Sequence, residues 1–312
     1  FTYTFAVEYC PGEVHVIPKP EGYEVFRDNQ PYSFILRRHD GSLAPFNMFS
    51  SSPEGNLPFW TYRRLLDGRL LDPIGGTRDI AMINWPGNDY DAKNIIDQSP
   101  EELILILDEA KRLALGFLYW LQTEAPHDNI DGGCGYPELR LMPEVMNTVD
   151  GLCMFPYIRE SRRILALERI LEQDIVAELR PDGRAKVFDT SVGIGWYPID
   201  IHNCAGRVPS AGGHQTLPFQ IPLGALIPKR MKNLIGACKN IGTTHITNGA
   251  YRLHPVEWNI GESAGCLAAF CIAHGCAPHQ VWASNGNMNP DAWLQKFQSQ
   301  LVRRGVPLVW IT

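Results

Sequence analysis

The residues able to do chemistry fall in a few short stretches. In Gly195-Trp196-Tyr197-Pro198-Ile199-Asp200-Ile201-His202, the carboxylate of Asp200 and the imidazole of His202 stand two positions apart. On a strand, that spacing puts both side chains on one face. Such a pair can begin a metal site, act as an acid and a base in a cleft, or close a strand end with a hydrogen bond. Arg159-Glu160-Ser161-Arg162-Arg163 gathers three guanidiniums that can clamp a carboxylate or phosphate, or form a solvated charged face. His245, Arg252 and His254 lie in the stretch before residues 260–275. Loop positions just ahead of a helix suit function and also suit loop capping. Residues 84–90 (Asn-Trp-Pro-Gly-Asn-Asp-Tyr) read as a tight turn anchored by aromatic rings.

Those residues need elements to position them. Asn233-Leu234-Ile235-Gly236-Ala237-Cys238 is a short apolar run of buried-strand type, followed by a polar loop and then a helix over 260–275 that ends at Gly275. The start of that helix is small-sided, with Gly261, Ser263, Ala264 and Gly265. A helix start offers unpaired N–H groups and a partial positive charge, so a pyrophosphate or a polar ring edge can approach it closely. Close packing on a sheet explains the same small residues. The dinucleotide fingerprint G-x-G-x-x-G is absent from the sequence, since neither Gly132-Gly133-Cys134-Gly135 nor Gly193-Ile194-Gly195 has the spacing. There is no G-x-S-x-G, and Ser263 is misplaced for a nucleophile elbow.

Elsewhere, Ser99-Pro100-Glu101-Glu102 opens a helix whose apolar residues recur from Leu103 to Leu121 at helical spacing. Residues 1–7, 14–17, 23–26 and 33–36 read as short strands. Residues 156–180 fit a helix or a strand followed by a helix, 187–201 a strand, and 203–224 a loop. Trp293, Phe297 and Leu301 form the stripe of a last helix that begins at Asn289-Pro290-Asp291, and residues 308–311 a final strand.

Composition sets outer limits. The chain has 312 residues, 45% hydrophobic and 20% charged, a globular mix. Twenty-eight Lys+Arg against 34 Asp+Glu give a net charge of −6, which argues against general nucleic-acid binding. No apolar run reaches a membrane span: the longest candidate, 103–121, is cut by Asp108, Glu109, Lys111 and Arg112. The eight cysteines include no C-x-x-C pair, so neither a zinc ribbon nor a disulfide framework is expected, no metal is assigned, and a reducing, cytoplasmic compartment is favoured. The chain opens at Phe1 inside an alternating pattern, with no initiator Met, basic n-region or apolar h-region, so either a leader has been removed by processing or this is the C-terminal part of a longer protein.

Taken in order, these pieces resemble the C-terminal portion of the FAD-dependent oxidoreductases related to the glutathione-reductase and fumarate-reductase flavoproteins. The resemblance is carried by residues 4–8, 83–90, 157–164, 197–202, 218–226, 233–265 and 293–308, most specifically Tyr-Ile-Arg-Glu-Ser-Arg-Arg-Ile, Tyr-Pro-Ile-Asp-Ile-His and the closing Gly-Glu-Ser-Ala-Gly. It implies an α/β (α+β) fold: a mixed-sheet substrate domain over 1–227, the closing strand and helix of a Rossmann-like FAD domain over 228–276, and a C-terminal helix and tail over 277–312. It implies hydride transfer between a small organic substrate and FAD. Asn240, Gly261, Glu262, Ser263, Ala264 and Gly265 would lie against the cofactor. His245 or His202 would serve as acid or base, Arg252 would bind a substrate oxygen, and Tyr197 would stand on the substrate side. The N-terminal Rossmann half with its glycine turn is expected in a longer protein, and this portion alone is expected to hold FAD weakly or not at all and to be inactive. Two other readings are a scaffold subunit of flavoprotein shape without cofactor, and a metal-dependent hydrolase using Asp200, His202 and His214.

Overall fold

The computed structural model describes residues 1–30, 32–37, 42–128, 132–160, 162–203, 205–206, 213–284 and 292–310. The chain forms two compact units, Phe1–Ile158 with Asn203–Pro209, and Arg159–His202 with Ser210–Thr312. Helices and several small sheets mix in an α+β fold. Among the described residues no helix is long and apolar enough to cross a membrane.

In the first unit, β1 (Phe5–Tyr9) is an inner strand of a four-stranded antiparallel sheet. It pairs with β5 (Ile80–Ile83), Phe5 opposite Ile83, and with β6 (Leu139–Leu141), Val7 opposite Leu141. The edge strand β4 (Arg64–Leu66) pairs with β5. A separate hairpin joins β2 (Ile35–Arg37) to β3 (Leu43–Pro45). The short helices are α1 (Tyr23–Asn29), α2 (Phe59–Arg63), α3 (Gly68–Leu71) and α5 (Pro143–Met146). The long α4 (Pro100–Thr123) starts where the sequence puts it, the Ser99 hydroxyl accepting from the Glu102 N–H at 3.1 Å. Its stripe Ile106, Ala110, Leu113, Phe117 and Leu121 is buried in a core that also holds Phe5, Phe59, Trp85 and Tyr136. Residues 84–90 form the expected turn: the Trp85 N–H donates to Asn88 Oδ1, and a Cβ at Gly87 would stand 2.6 Å from the Phe117 ring. Asn203 and Gly206 belong to this unit, Asn203 Nδ2 donating to Asp91 Oδ2 and the Gly206 N–H to the Ala92 carbonyl, each at 3.1 Å.

Two of the four early strands differ from expectation. Residues 14–17 adopt no regular element, and 23–26 are part of α1. Gly22, at φ +75°, turns the chain into that helix, and the Tyr23 ring packs edge-on against Tyr119 in the core.

In the second unit, β7 (Ser191–Gly195) and β8 (Phe219–Pro222) form an antiparallel hairpin. It is joined by α6 (Glu172–Ile175), α7 (His245–Tyr251), α8 (His254–His274), α9 (Pro278–Ala283) and α10 (Trp293–Arg303). Helix α8 lies directly on β7: a Cβ at Gly195 would stand 2.9 Å from Val256 Cγ2, and the Ser263 hydroxyl donates to the Val192 carbonyl. The two strand glycines thus let the helix approach, and Ile221, Leu226, Ile260, Leu267, Phe297 and Leu301 fill the core between the elements. Gly275 ends α8 with φ +62°, as its position predicts.

Several expectations here are corrected. The strand over 187–201 shrinks to Ser191–Gly195, and the loop over 203–224 contains β8. The closing strand over 233–238 does not form. A buried strand needs cover on both faces, whereas residues 231–234, 237 and 238 are exposed, and inward there turn only Ile235, which packs half-buried on the core, and Gly236, whose N–H donates to the Leu226 carbonyl. All strand pairings in the sheets are antiparallel among the described residues. Helix α8 begins at His254, not Ile260, because Pro255 suits a first turn. The loop expected before it contains α7, capped by the reciprocal bonds of Thr244 and Thr247. Within 156–180 the chain forms single bridges, Ala166 with Pro228 and Ile170 with Thr243, before α6. Residues 308–310 form no strand: the Leu308 carbonyl accepts from the side chains of Ser191 and Gln220. Asn289, Pro290, Asp291 and Ile311 lie outside the described residues.

Candidate active site

The second unit carries a chain of charges in which the arginines are buried and Glu160, Asp200 and His202 half-buried. Arg252 caps the C-terminal end of α7 and is 3% exposed. Its Nε stands 2.7 Å from Glu160 Oε1, and its Nη2 donates to the Asp200 carbonyl at 2.7 Å and approaches Asp200 Oδ2 at 3.3 Å. His202 Nε2 lies 3.7 Å from Asp200 Oδ1. Asp200 therefore stands between an imidazole and a guanidinium. Burial alone would raise its carboxyl, but His202, Arg252 and Arg159 hold it down at about 2. Arg159, 5% exposed, is thus a buried charge beside this chain and not a solvated one.

Local sequence explains the assembly. Asp200 and His202 follow β7 on an extended, non-strand segment, so their partnership rests on proximity and not on a sheet face. That segment lies against α7 because Gly249 has no side chain: a Cβ there would stand 2.9 Å from Ile201 Cγ1 and 3.0 Å from the Asp200 carbonyl oxygen. Lys239 is half-buried nearby; burial pushes its ammonium down, against the pull of Glu257. On α7, Asn248 donates to the Lys239 carbonyl at 2.7 Å and to the Thr243 hydroxyl at 3.0 Å, while its Oδ1 is buried without a partner.

The other expected residues separate into groups. His245 is the first residue of α7, half-buried, at the opposite end from Arg252. Tyr197 is 37% exposed, its carbonyl accepting from the Thr216 hydroxyl. Asn240 is exposed, its carbonyl accepting from the Ile164 N–H. Residues 261–265 sit inside α8, not at its start, so their N–H groups are within the helix ladder. Ser263 and Ala264 face the unit's own core and present nothing to a ligand. Gly261, Glu262 and Gly265 face outward: nothing lies within 4 Å of a Cβ at Gly265, and only the Ala237 carbonyl, at 3.5 Å, near one at Gly261. Trp258, 76% exposed, and Ile272, 84% exposed, share that side of the helix. In its first turn, which has no side-chain cap, Pro255 has no N–H and the Glu257 N–H donates to the Leu253 carbonyl at 2.9 Å, so the N–H groups of His254 and Val256 are those ahead of the helix ladder.

The hydrolase trio does not come together, because His214 Nδ1 pairs with Glu178, 3.9 Å away, instead of with Asp200 and His202. Sequence reasoning missed Glu160 as the partner of Arg252, although it sits in the arginine-rich run. It also missed Asn248, for which the sequence holds no signal beyond a polar residue in a short helix.

The chain is thus an α+β protein with a half-buried carboxylate–imidazole pair and a long helix whose outer face carries two glycines. Residues 20–301 match the model of the FAD dependent oxidoreductase family, and the chain belongs to that family. Its members bind FAD, and the function of the chain is flavin-linked oxidation and reduction. No curated protein and no solved structure matches the chain.

Proposed function

We propose that this protein holds FAD against the outer face of α8 and moves a hydride between a small organic substrate and the flavin, in the manner of the glutathione-reductase and fumarate-reductase branch. The observation that carries the reading is the bare backbone at Gly261 and Gly265. Glycine inside a helix costs about 1 kcal/mol relative to alanine. Two glycines four apart on an open face accept that cost although, among the described residues, nothing lies within 4 Å of a Cβ at Gly265 and only the Ala237 carbonyl, at ordinary contact distance, near one at Gly261. A flat or anionic group that must come within contact distance of the helix supplies the reason. Gly261, Gly265 and Glu262 would line it, with Asn240 alongside. The N–H groups of His254 and Val256, in the first turn of α8, would donate to its polar or phosphate oxygens.

FAD, when bound, supplies the hydride acceptor. The protein supplies position and a proton. His202 is the acid or base, since Asp200 orients its ring while Arg252 and Glu160 fix Asp200. Arg252 is a positioning residue in this scheme and not a substrate arm, because both sides of its guanidinium are engaged by carboxylates. His245, at the start of α7, is the alternative proton carrier, and Tyr197 the exposed aromatic on the substrate side.

Titration with FAD, followed by flavin fluorescence, tests the cofactor site. Gly265→Leu should weaken binding at least about tenfold, as expected when a bulky side chain fills a contact surface, and affinity unchanged by Gly265→Leu and Gly261→Leu would overturn the placement. In the flavin-loaded protein, His202→Ala should slow substrate-driven bleaching about 10²–10⁴-fold without altering FAD affinity. The same loss in His245→Ala, with His202→Ala unaffected, would move the proton to α7.

A further inference from the structure

In the first unit, the loop after β1 runs Cys10-Pro11-Gly12-Glu13-Val14-His15. One sulfur, one carboxylate oxygen and one imidazole nitrogen from this loop, those of Cys10, Glu13 and His15, all lie within 4.8 Å of one another. Among the described residues no other trio of His, Cys, Asp and Glu brings ligand atoms so close. We infer that Cys10, Glu13 and His15 form a binding site for a zinc-type divalent cation, with a fourth position open to solvent.

The loop is held in the shape this needs. The Cys10 N–H donates to the Glu138 carbonyl at 2.9 Å, and the His15 N–H to the Pro137 carbonyl at 2.7 Å. Between them the Glu13 N–H closes a turn on the Cys10 carbonyl at 3.1 Å, with Gly12 at φ +79°. Gln122 clasps the far side, donating to the His15 carbonyl and accepting from the Ile17 N–H. The backbone of all three ligands is therefore fixed before any ion arrives.

The donor set selects the ion. Thiolate and imidazole favour zinc and its neighbours over calcium or magnesium. Tetrahedral zinc separates its ligand atoms by about 3.3–3.7 Å. His15 Nε2 and Glu13 Oε2 are now 2.8 Å apart, so an ion needs a small outward shift of the exposed Glu13 side chain. Cys10 is buried while Glu13 is exposed and His15 half-buried, which gives the ion a path in from solvent. Glu8 stands behind the sulfur at 3.2 Å, and Arg140 holds Glu8 at 3.0 Å. Arg78 takes the other Glu13 oxygen, Oε1, and lies 3.7 Å from Glu8. It is the resident cation with which a metal competes. Entry of the metal releases the Cys10 thiol proton to solvent.

Titration of the full chain with Co²⁺ tests the site, because cobalt bound to a thiolate shows a charge-transfer absorption that carboxylate and imidazole sites lack. One equivalent should give the band, and Zn²⁺ should displace it. Cys10→Ser should abolish the band. His15→Ala, a change at a half-buried side chain that leaves the loop's backbone bonds in place, should weaken Co²⁺ binding more than about tenfold. Arg78→Ala, which removes the competing charge, should strengthen it several-fold. No band in the parent protein, a band that survives Cys10→Ser, affinity unchanged by His15→Ala, or binding not strengthened by Arg78→Ala would overturn the site.

Discussion

Asp200 shows how one carboxylate can organise a site. An unperturbed aspartate titrates near about 4, and here the neighbouring His202, Arg252 and Arg159 hold the group at about 2 against the opposing effect of burial. A folded value below the unfolded one adds stability that is complete above about pH 4 and is lost as the pH falls toward about 2. Urea unfolding across that window should show a falling limb in the parent protein, flattened in Asp200→Asn. The same substitution would also leave Arg252 paired with Glu160 alone and cost about 1–3 kcal/mol at neutral pH. A limb of unchanged slope in the variant would mean that other acidic groups govern the acid side. At this scale the sequence was half legible. The two-residue spacing of Asp200 and His202 suggests a pair on one strand face; the two side chains do lie 3.7 Å apart, but on a segment that is not a strand. That Arg252 would reach Asp200 from 52 positions away depends on tertiary folding, which no local spacing encodes.

Helices were legible where a periodic apolar face and a cap coincide. The Ser99 cap and the stripe from Ile106 to Leu121 define α4 within a residue or two, since many side chains agree on one period. Residues 233–238 misled because a short apolar run is only half of what a strand requires. The other half is a neighbouring strand to bond with, and none is offered there among the described residues. Helix α8 was located by its C-terminal glycine but misjudged at its start, as Pro255 looks like loop until it is seen in a first turn. Its outer glycines make a test with opposite signs. Gly265→Ala meets no atom within 4 Å, so it should raise stability by about 0.5–1 kcal/mol while lowering FAD affinity. Thermal melting and flavin titration on the same variant read both. A gain in both together would mean that the cofactor lies elsewhere.

For the whole molecule, each unit has its own core, aromatic in the first and largely aliphatic in the second. The fully or nearly buried tryptophans Trp60, Trp85 and Trp120 belong to the first, whereas in the second Trp196 and Trp258 are exposed and Trp282 and Trp293 half-buried against the core. Leu301→Ala empties a fully buried site in the second unit, a change that costs about 2–5 kcal/mol. Helical circular dichroism should then fall at lower urea than the blue-shifted tryptophan emission. Coincident transitions would show that the two cores melt as one.

The short excursion of Asn203–Pro209 into the first unit has a consequence for a broken chain. A single protease cut between Ile158 and Arg159 yields two polypeptides, but the downstream piece still carries Asn203 and Gly206, which bond to Asp91 and Ala92 of the upstream one. The halves are therefore not self-sufficient parts. The upstream piece alone should unfold at lower urea than the first unit does in the uncut chain.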